Sequence, residues 1–268
     1  MHNMIILALA GLLSVHCAQK AKTTPTLESV VNSAERSQDN KQRDTYRNPV
    51  ETLKFFEVEP EMTVVEVSPG RGWYTEILAP YLQGKLYLAA FNENSEREYF
   101  RKSTRQLKEK VNQNKELYGD VEFTVLEVPK KVGPIAPANS VDRVLTFRNV
   151  HNWQKAGKAQ EVFNEFYRVL KKGGILGVVE HRANPKMKKD PKANSGYMHT
   201  KDVLSLAKNA GFKLVAQSEI NANPKDTTQH PKGVWSLPPS LSVPEKDKEK
   251  YKAIGESDRM TLKFVKPF

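Results

Sequence analysis

The sequence predicts an α/β protein built on a seven-stranded, mainly parallel sheet with helices on both faces. Three observations predict it. From Thr63 onward, short β-branched and apolar runs alternate with amphipathic stretches, the pattern of strands joined by crossover helices. The first of those runs leads straight into a turn with two closely spaced glycines, Gly70 and Gly72, and then into a helix. The chain has 268 residues, 38% of them hydrophobic and arranged in periodic blocks, which is enough for one large core. There is no internal repeat and no domain boundary after Thr63.

The elements follow in order. Lys20 to Thr26 reads as a tether, and Leu27 to Ser37 carries apolar residues at helical spacing. A very polar stretch, Gln38 to Arg47, comes next. Asn48-Pro49 suits a helix start, with Asn at the cap and Pro at the first helical position, and that helix carries Leu53 and Phe56 on one face and ends near Pro60. Thr63 to Val67 is apolar apart from Glu66, as a strand buried on both faces should be. Thr75 to Leu82 is a short helix, Leu86 to Phe91 a second strand, and Glu96 to Asn112 a charged helix. Val121 to Val125 and Val141 to Phe147 are the third and fourth strands. The helix Ala159 to Leu170 presents Val162, Phe166 and Val169 on one face. It ends at Gly173-Gly174, and Ile175 to Val179 is the fifth strand. Thr200 caps the helix Lys201 to Ala210, which Gly211 terminates. Phe212 to Ile220 and Met260 to Val265 are the last strands, separated by an aperiodic, Pro-rich stretch, Asn221 to Pro244. The segment before Thr63 is expected to pack across the domain as a lid.

The N-terminus has its own pattern. The first seventeen residues contain no Lys, Arg, Asp or Glu, and Met4 to Val15 is a nearly continuous apolar run. That run is too short to span a bilayer comfortably but has the length of a signal-peptide core. The expected division is therefore 1–17 as a signal peptide, 18–47 as tether and N-terminal helix, and 48–268 as the main domain. The only cysteine, Cys17, follows the apolar run, where bacterial lipoproteins carry their lipid-modified cysteine. A lone cysteine forms no internal disulfide. Two outcomes stay open: acylation of Cys17, which would anchor the protein to a membrane, or cleavage near Ala18 or Ala21, which would release it. Either places the protein outside the cytoplasm, in the periplasm or on the outer membrane of a bacterium.

The formal net charge is +11, from 42 Lys and Arg against 31 Asp and Glu. Because the basic residues are scattered among acids, most of this reads as a solvated surface. No basic stretch interleaves with aromatics, so nucleic acid is not an expected partner. The run Lys186 to Lys192 is more one-sided and is better placed to meet an anion.

The glycine turn carries the functional reading. Small side chains let a ligand approach the backbone, a helix start presents free N–H groups, and ligands of open α/β sheets sit beyond the carboxyl ends of the strands. Glu66-Val-Ser-Pro-Gly-Arg-Gly72 resembles the first motif of class I S-adenosylmethionine (SAM) dependent methyltransferases, an acidic residue followed by Gly-x-Gly-x-Gly, with Ser68 where the first glycine is expected. Asn139 to His151 resembles the family's fourth-strand motif, and Phe166 to Glu180 is similar to its helix, double-glycine turn and fifth strand. The resemblance covers about Val50 to Phe268. Together with Trp73-Tyr74, His151-Asn-Trp153 and the export pattern, it points to a group of exported bacterial proteins known chiefly as predicted methyltransferases.

The resemblance implies a Rossmann-like class I methyltransferase fold and SAM as cofactor. Glu66, Ser68, Pro69, Gly70 and Gly72 would line its methionine and ribose part, Asn92 or Glu93 would face the ribose hydroxyls, and Glu127 is the candidate on the adenine side. Asn149 would border the methyl group. The methyl acceptor would be a small molecule or a cell-envelope component. Methyl transfer needs in-line positioning and, for a hydroxyl or amine acceptor, a base. His151 and His181, at successive strand ends, are the candidate catalytic residues. Tyr74, Arg148, Arg182, Tyr197 and His199 are candidates for holding the acceptor. No His-x-x-x-His or Cys-rich spacing appears, so no metal site is expected. Two other readings stay open: an exported ligand-binding protein that keeps the fold without catalysis, and a nicotinamide-dependent oxidoreductase, whose fingerprint would need a third glycine where Thr75 stands.

Overall fold

The computed structural model describes residues 25–268. The apolar run at 4–15 and Cys17 lie outside the described residues. The N-terminal segment holds four short helices, α1 (Leu27–Val31), α2 (Gln38–Lys41), α3 (Asp44–Arg47) and α4 (Pro49–Phe55). Then come β1 (Val64–Val67), α5 (Thr75–Tyr81), β2 (Leu86–Ala90), α6 (Glu98–Gln113), α7 (Lys115–Tyr118), β3 (Val121–Val125) and β4 (Val141–Phe147). The chain continues through α8 (Val150–Lys155), α9 (Ala159–Val169), β5 (Leu170–His181), α10 (Thr200–Ala210), β6 (Lys213–Ser218), α11 (Lys248–Ile254) and β7 (Arg259–Val265).

All seven expected strands are present, and they form one sheet in the order β3-β2-β1-β4-β5-β7-β6. β3, β2, β1, β4 and β5 are parallel neighbours. Only β7 runs antiparallel, to both β5 and β6. Successive side chains point to opposite faces of a strand, and β1 shows it: Val65 and Val67 join the core under α8, α9 and α10, while Val64 joins the core under α1, α4, α5 and α6. Two apolar layers on one sheet explain why the central strands read as unbroken hydrophobic runs.

Some boundaries differ from the sequence reading. β5 begins at Leu170, so Gly173 and Gly174 lie inside the strand, where its register against β4 shifts. The helix α8 had no periodic signal because it is only six residues long. The very polar stretch from Gln38 to Arg47 forms α2 and α3. Asn48 precedes Pro49 in a left-handed conformation, φ 40°, and its Nδ2 donates to Ile220 O at 2.7 Å instead of capping α4, a tertiary bond that overrides the local preference.

The N-terminal segment packs on the sheet domain. Leu27, Val30, Val31, Leu53 and Phe56 enter the second core, and Trp73 Nε1 donates to Asn40 O at 3.0 Å. Arg36 forms two hydrogen bonds to Asp44, of 2.7 and 2.9 Å, which fasten the start of α3 to the end of α1. Arg43 and Arg47 reach across to Glu256, far along the chain.

Candidate active site

From β1 the chain builds outward through β2 to β3, then returns to the other side of β1 as β4. The crevice beyond the carboxyl ends of β1 and β4 is therefore the switch point where open α/β sheets take ligands. Three chain segments meet there: the glycine turn after β1, Arg148-Asn149 after β4, and Glu180-His181 at the end of β5.

The two glycines of the turn have different tasks. A Cβ added at Gly70 (φ +60°) would meet only Tyr99 Oη, at 3.9 Å, so the space above that backbone is open. A Cβ at Gly72 (φ +84°) would stand 2.5 Å from Leu107 Cδ1, so Gly72 lets α6 close on the turn. Ser68 is also left-handed, at φ 49°, and its N–H donates to Ala89 O at 2.9 Å. The conformation costs a non-glycine residue about 1–2 kcal/mol. Its buried Oγ has no hydrogen-bond partner. Arg148, at φ 61°, is strained in the same way at the end of β4. Strain of this kind collects at functional sites.

Glu66 is buried under the turn, where its Oε2 accepts from Thr75 Oγ1 at 2.6 Å. Burial pushes its carboxyl up to about 8, against a smaller downward pull from Thr75. The folded chain therefore holds a proton there that the unfolded chain releases at about 4.5. The sign follows from linkage: folding stability falls as pH rises through that window, by up to about 1.4 kcal/mol per unit, and levels off above it. Glu66→Gln is expected to remove this slope. Urea melts across the window check it, and an unchanged slope would show that Glu66 ionises freely.

The residues after β2 are tied into local structure. Asn92 Oδ1 accepts from Asn94 N at 2.9 Å, and Glu93 pairs with Lys108 of α6 at 2.8 Å. Glu127 is buried and accepts from Asn92 N (2.9 Å) and Ser95 Oγ (2.8 Å), clasping the ends of β2 and β3 together. Asn149 Nδ2 donates to Phe147 O at 3.1 Å and reaches Val67 O at 3.5 Å, bridging the ends of β4 and β1.

Next to this crevice stands a histidine pair built on Glu180. The Glu180 side chain is fully buried. It accepts from the backbone N–H of Val150 (2.5 Å), His151 (3.4 Å) and His181 (2.8 Å), and it meets His151 Nδ1 at 3.0 Å. A carboxylate held in this way fixes the imidazole proton on Nδ1 and leaves Nε2 as the lone-pair nitrogen. The His181 ring centroid lies 5.2 Å from that of His151, and its Nδ1 is 2.5 Å from Ser257 Oγ. Burial, then His151, Arg148, Arg259 and Arg47, hold His181 well below the usual imidazole range, so it stays neutral.

Donor atoms of His151, Glu180 and His181 lie within 4.8 Å of one another, a spacing that could hold a metal ion. The sequence showed no such spacing because the residues come from different elements. The surrounding charge opposes a cation: Arg148, Arg259 and Arg47 all bear on His181, and Glu180 is already engaged by N–H groups.

Tyr74 stacks on Phe147 with centroids 3.6 Å apart and planes 14° apart. Burial pushes its hydroxyl up to about 12, against the opposing pull of Arg47, Arg148 and Arg259. Tyr197 lies edge-on to His181 at 6.4 Å, and its hydroxyl donates to Asp226, which also meets His230 Nε2 at 2.8 Å. Arg182 is committed elsewhere, with paired bonds to Glu219 and Asp258. His199 is buried at the start of α10. The fold thus brings Glu66, Ser68, Pro69, Gly70, Tyr74, Arg148, Asn149, His151 and His181 to the carboxyl ends of the central strands β1, β4 and β5. It leaves Glu93 and Arg182 in salt bridges of their own.

Sequence reasoning missed Glu180, Arg43, Arg47, Glu256 and Arg259. Glu180 was legible as a buried acid beside a candidate histidine. The others carry no local signal, because Arg47 and Glu256 stand 209 positions apart.

Residues 65–178 match the family described as "Methyltransferase domain". A search of curated proteins returned no match. Among solved structures, the chain is similar to a SAM dependent methyltransferase from Aquifex aeolicus (18% identity, TM-score 0.53, covering 84% of this chain and 93% of that one). It is also similar to geranyl diphosphate methyltransferase in complex with SAM (13% identity, TM-score 0.56, 89% and 94%). The cyclase SpnF shares the fold as well (15% identity, TM-score 0.60, 88% and 85%), so the fold alone does not set the reaction. The strand order, the glycine turn at the switch point and the match over residues 65–178 agree with one another, and the chain has the fold of the class I SAM-dependent methyltransferases.

Proposed function

We propose that this protein transfers a methyl group from SAM to a small-molecule or cell-envelope acceptor. The observation that carries the reading is an open glycine backbone at Gly70 and an oriented imidazole at His151 beyond the carboxyl ends of the adjacent strands β1 and β4. The residues fit the cofactor. Gly70 leaves room for close approach, Ser68 Oγ is an unused hydrogen-bonding group, and Glu66 can receive a cationic group by losing its proton. A solved structure of the same fold, geranyl diphosphate methyltransferase, is in complex with SAM.

When bound, SAM supplies an activated methyl group together with its own leaving group. The protein's part is to position the acceptor and remove its proton. His151 accepts that proton at Nε2, because Nδ1 faces Glu180. Glu180 is a positioning residue, fixed by backbone N–H groups so that the ring cannot turn. His181, held neutral, lines the same space without adding positive charge to a protonated His151.

Calorimetry with S-adenosylhomocysteine tests the cofactor assignment; absence of binding at about millimolar cofactor would end the enzyme reading. For the base, His151→Ala is expected to lower methyl incorporation from labelled SAM into a small-molecule extract by about 10²–10⁴-fold while S-adenosylhomocysteine affinity holds. Equal incorporation by variant and wild type would remove His151 from the mechanism.

A further inference from the structure

We propose that the methyl acceptor is an anion, and that its carboxylate or phosphate docks on the arginine cluster of Arg47, Arg148 and Arg259 beside the histidine pair. The proposal rests on the methyl-transfer reading above and names the acceptor's chemical class.

Four guanidinium groups converge on one carboxylate. Glu256 Oε1 meets Arg43 Nε at 2.7 Å, and Glu256 Oε2 meets Arg259 Nη1 at 3.2 Å, Arg47 Nε at 3.3 Å and Arg148 Nη1 at 4.0 Å. Arg47 and Arg259 are each only 2% exposed. Of the four, Arg47 and Arg259 are buried and share the single carboxylate of Glu256, and an under-compensated buried charge costs several kcal/mol, which a second anion would offset. The neighbouring carboxylate, Glu180, is already satisfied by backbone N–H groups and His151. One buried nitrogen, Arg47 Nη2, has no hydrogen-bond partner. The guanidinium of Arg47 lies over Trp73, 4.6 Å from the ring centroid, which holds its plane in place. A flat, fixed guanidinium with a free N–H is the geometry that recognises carboxylate or phosphate.

The position ties the cluster to the chemistry. Arg259 pairs with His181 across β7 and β5, and Arg148 directly follows β4, three residues before His151. The side chains of Arg148 and Arg43 remain about a quarter exposed, at 23% and 26%, and open the cluster to solvent. The same chemistry could come from the carboxylate of the cofactor's methionine half, and the experiment separates the two.

The test is thermal melting of the protein in inorganic phosphate against chloride at matched ionic strength, with S-adenosylhomocysteine affinity measured by calorimetry with and without saturating phosphate. The expected result is saturable stabilisation by phosphate, weakened by about tenfold in affinity in Arg47→Met. Should that variant fail to fold, Arg43→Gln at the rim is expected to weaken phosphate binding measurably while folding normally. S-adenosylhomocysteine affinity is expected to be the same in either buffer. Absence of a phosphate-specific effect in the wild type, or equal phosphate affinity in the variants, would overturn the anion site. Competition between phosphate and S-adenosylhomocysteine would assign it to the cofactor and overturn the acceptor proposal. Failure of S-adenosylhomocysteine to bind at all is a separate result that strikes the methyl-transfer reading instead.

Discussion

Gly70→Val is expected to abolish S-adenosylhomocysteine binding while the chain stays folded. The backbone at Gly70 is left-handed, and nothing stands within ordinary contact of an added Cβ except Tyr99 Oη at 3.9 Å. A valine there meets little protein, but it fills the open space above the turn at the end of β1. Its cost to folding is the conformational strain of a branched side chain at positive φ, about 1–2 kcal/mol, which a protein of ordinary stability survives. Gly72→Ala is the contrast: its Cβ would stand 2.5 Å from Leu107 Cδ1, so the loss falls on stability. Calorimetry and circular-dichroism melts of the two variants read the two effects separately. Near-wild-type affinity in Gly70→Val would mean that the ligand does not sit on this turn.

The second large effect is expected at Glu256. Burial alone would raise its carboxyl, but Arg47, Arg259, Arg148 and Arg43 outweigh burial and hold it at about 2. A carboxyl lowered in the folded state contributes stability above its ordinary value of about 4.5, and that contribution disappears as pH falls toward about 2. Glu256→Gln leaves the arginines facing each other without a counter-charge, and the expected loss near neutral pH is about 3–5 kcal/mol. The gap between variant and wild type should close as the pH is lowered through that window. Denaturant melts across pH check both statements. A variant as stable as the wild type at neutral pH would show that the guanidinium groups are solvated and carry no unmet charge.

Much of this architecture was legible before any coordinates. Thr63 to Val67 read as a strand buried on both faces, as β1 is, and Gly70 and Gly72 read as a turn that leaves room for a ligand. The alternation after Thr63 led to the seven strands that the sheet contains. The short elements escaped because four to six residues hold too little periodicity to read, as in α2, α3 and α8. The two glycines looked equivalent in the motif, and only the packing of Leu107 separates them.

The candidate site divides in the same way. His181 lies at the end of β5 as the sequence reading placed it, whereas His151, expected at a strand end, falls in the first turn of α8 just past β4. That Glu180 orients one of them, that the other is held neutral, and that Arg47, Arg148 and Arg259 gather around Glu256 are products of chain segments folded together from far apart. Patterns of period two and 3.6 are written into neighbouring residues, because each strand or helix must bury one side of itself. The charge on a buried group depends instead on everything within a few ångströms, and for Glu256 most of those neighbours come from other parts of the chain.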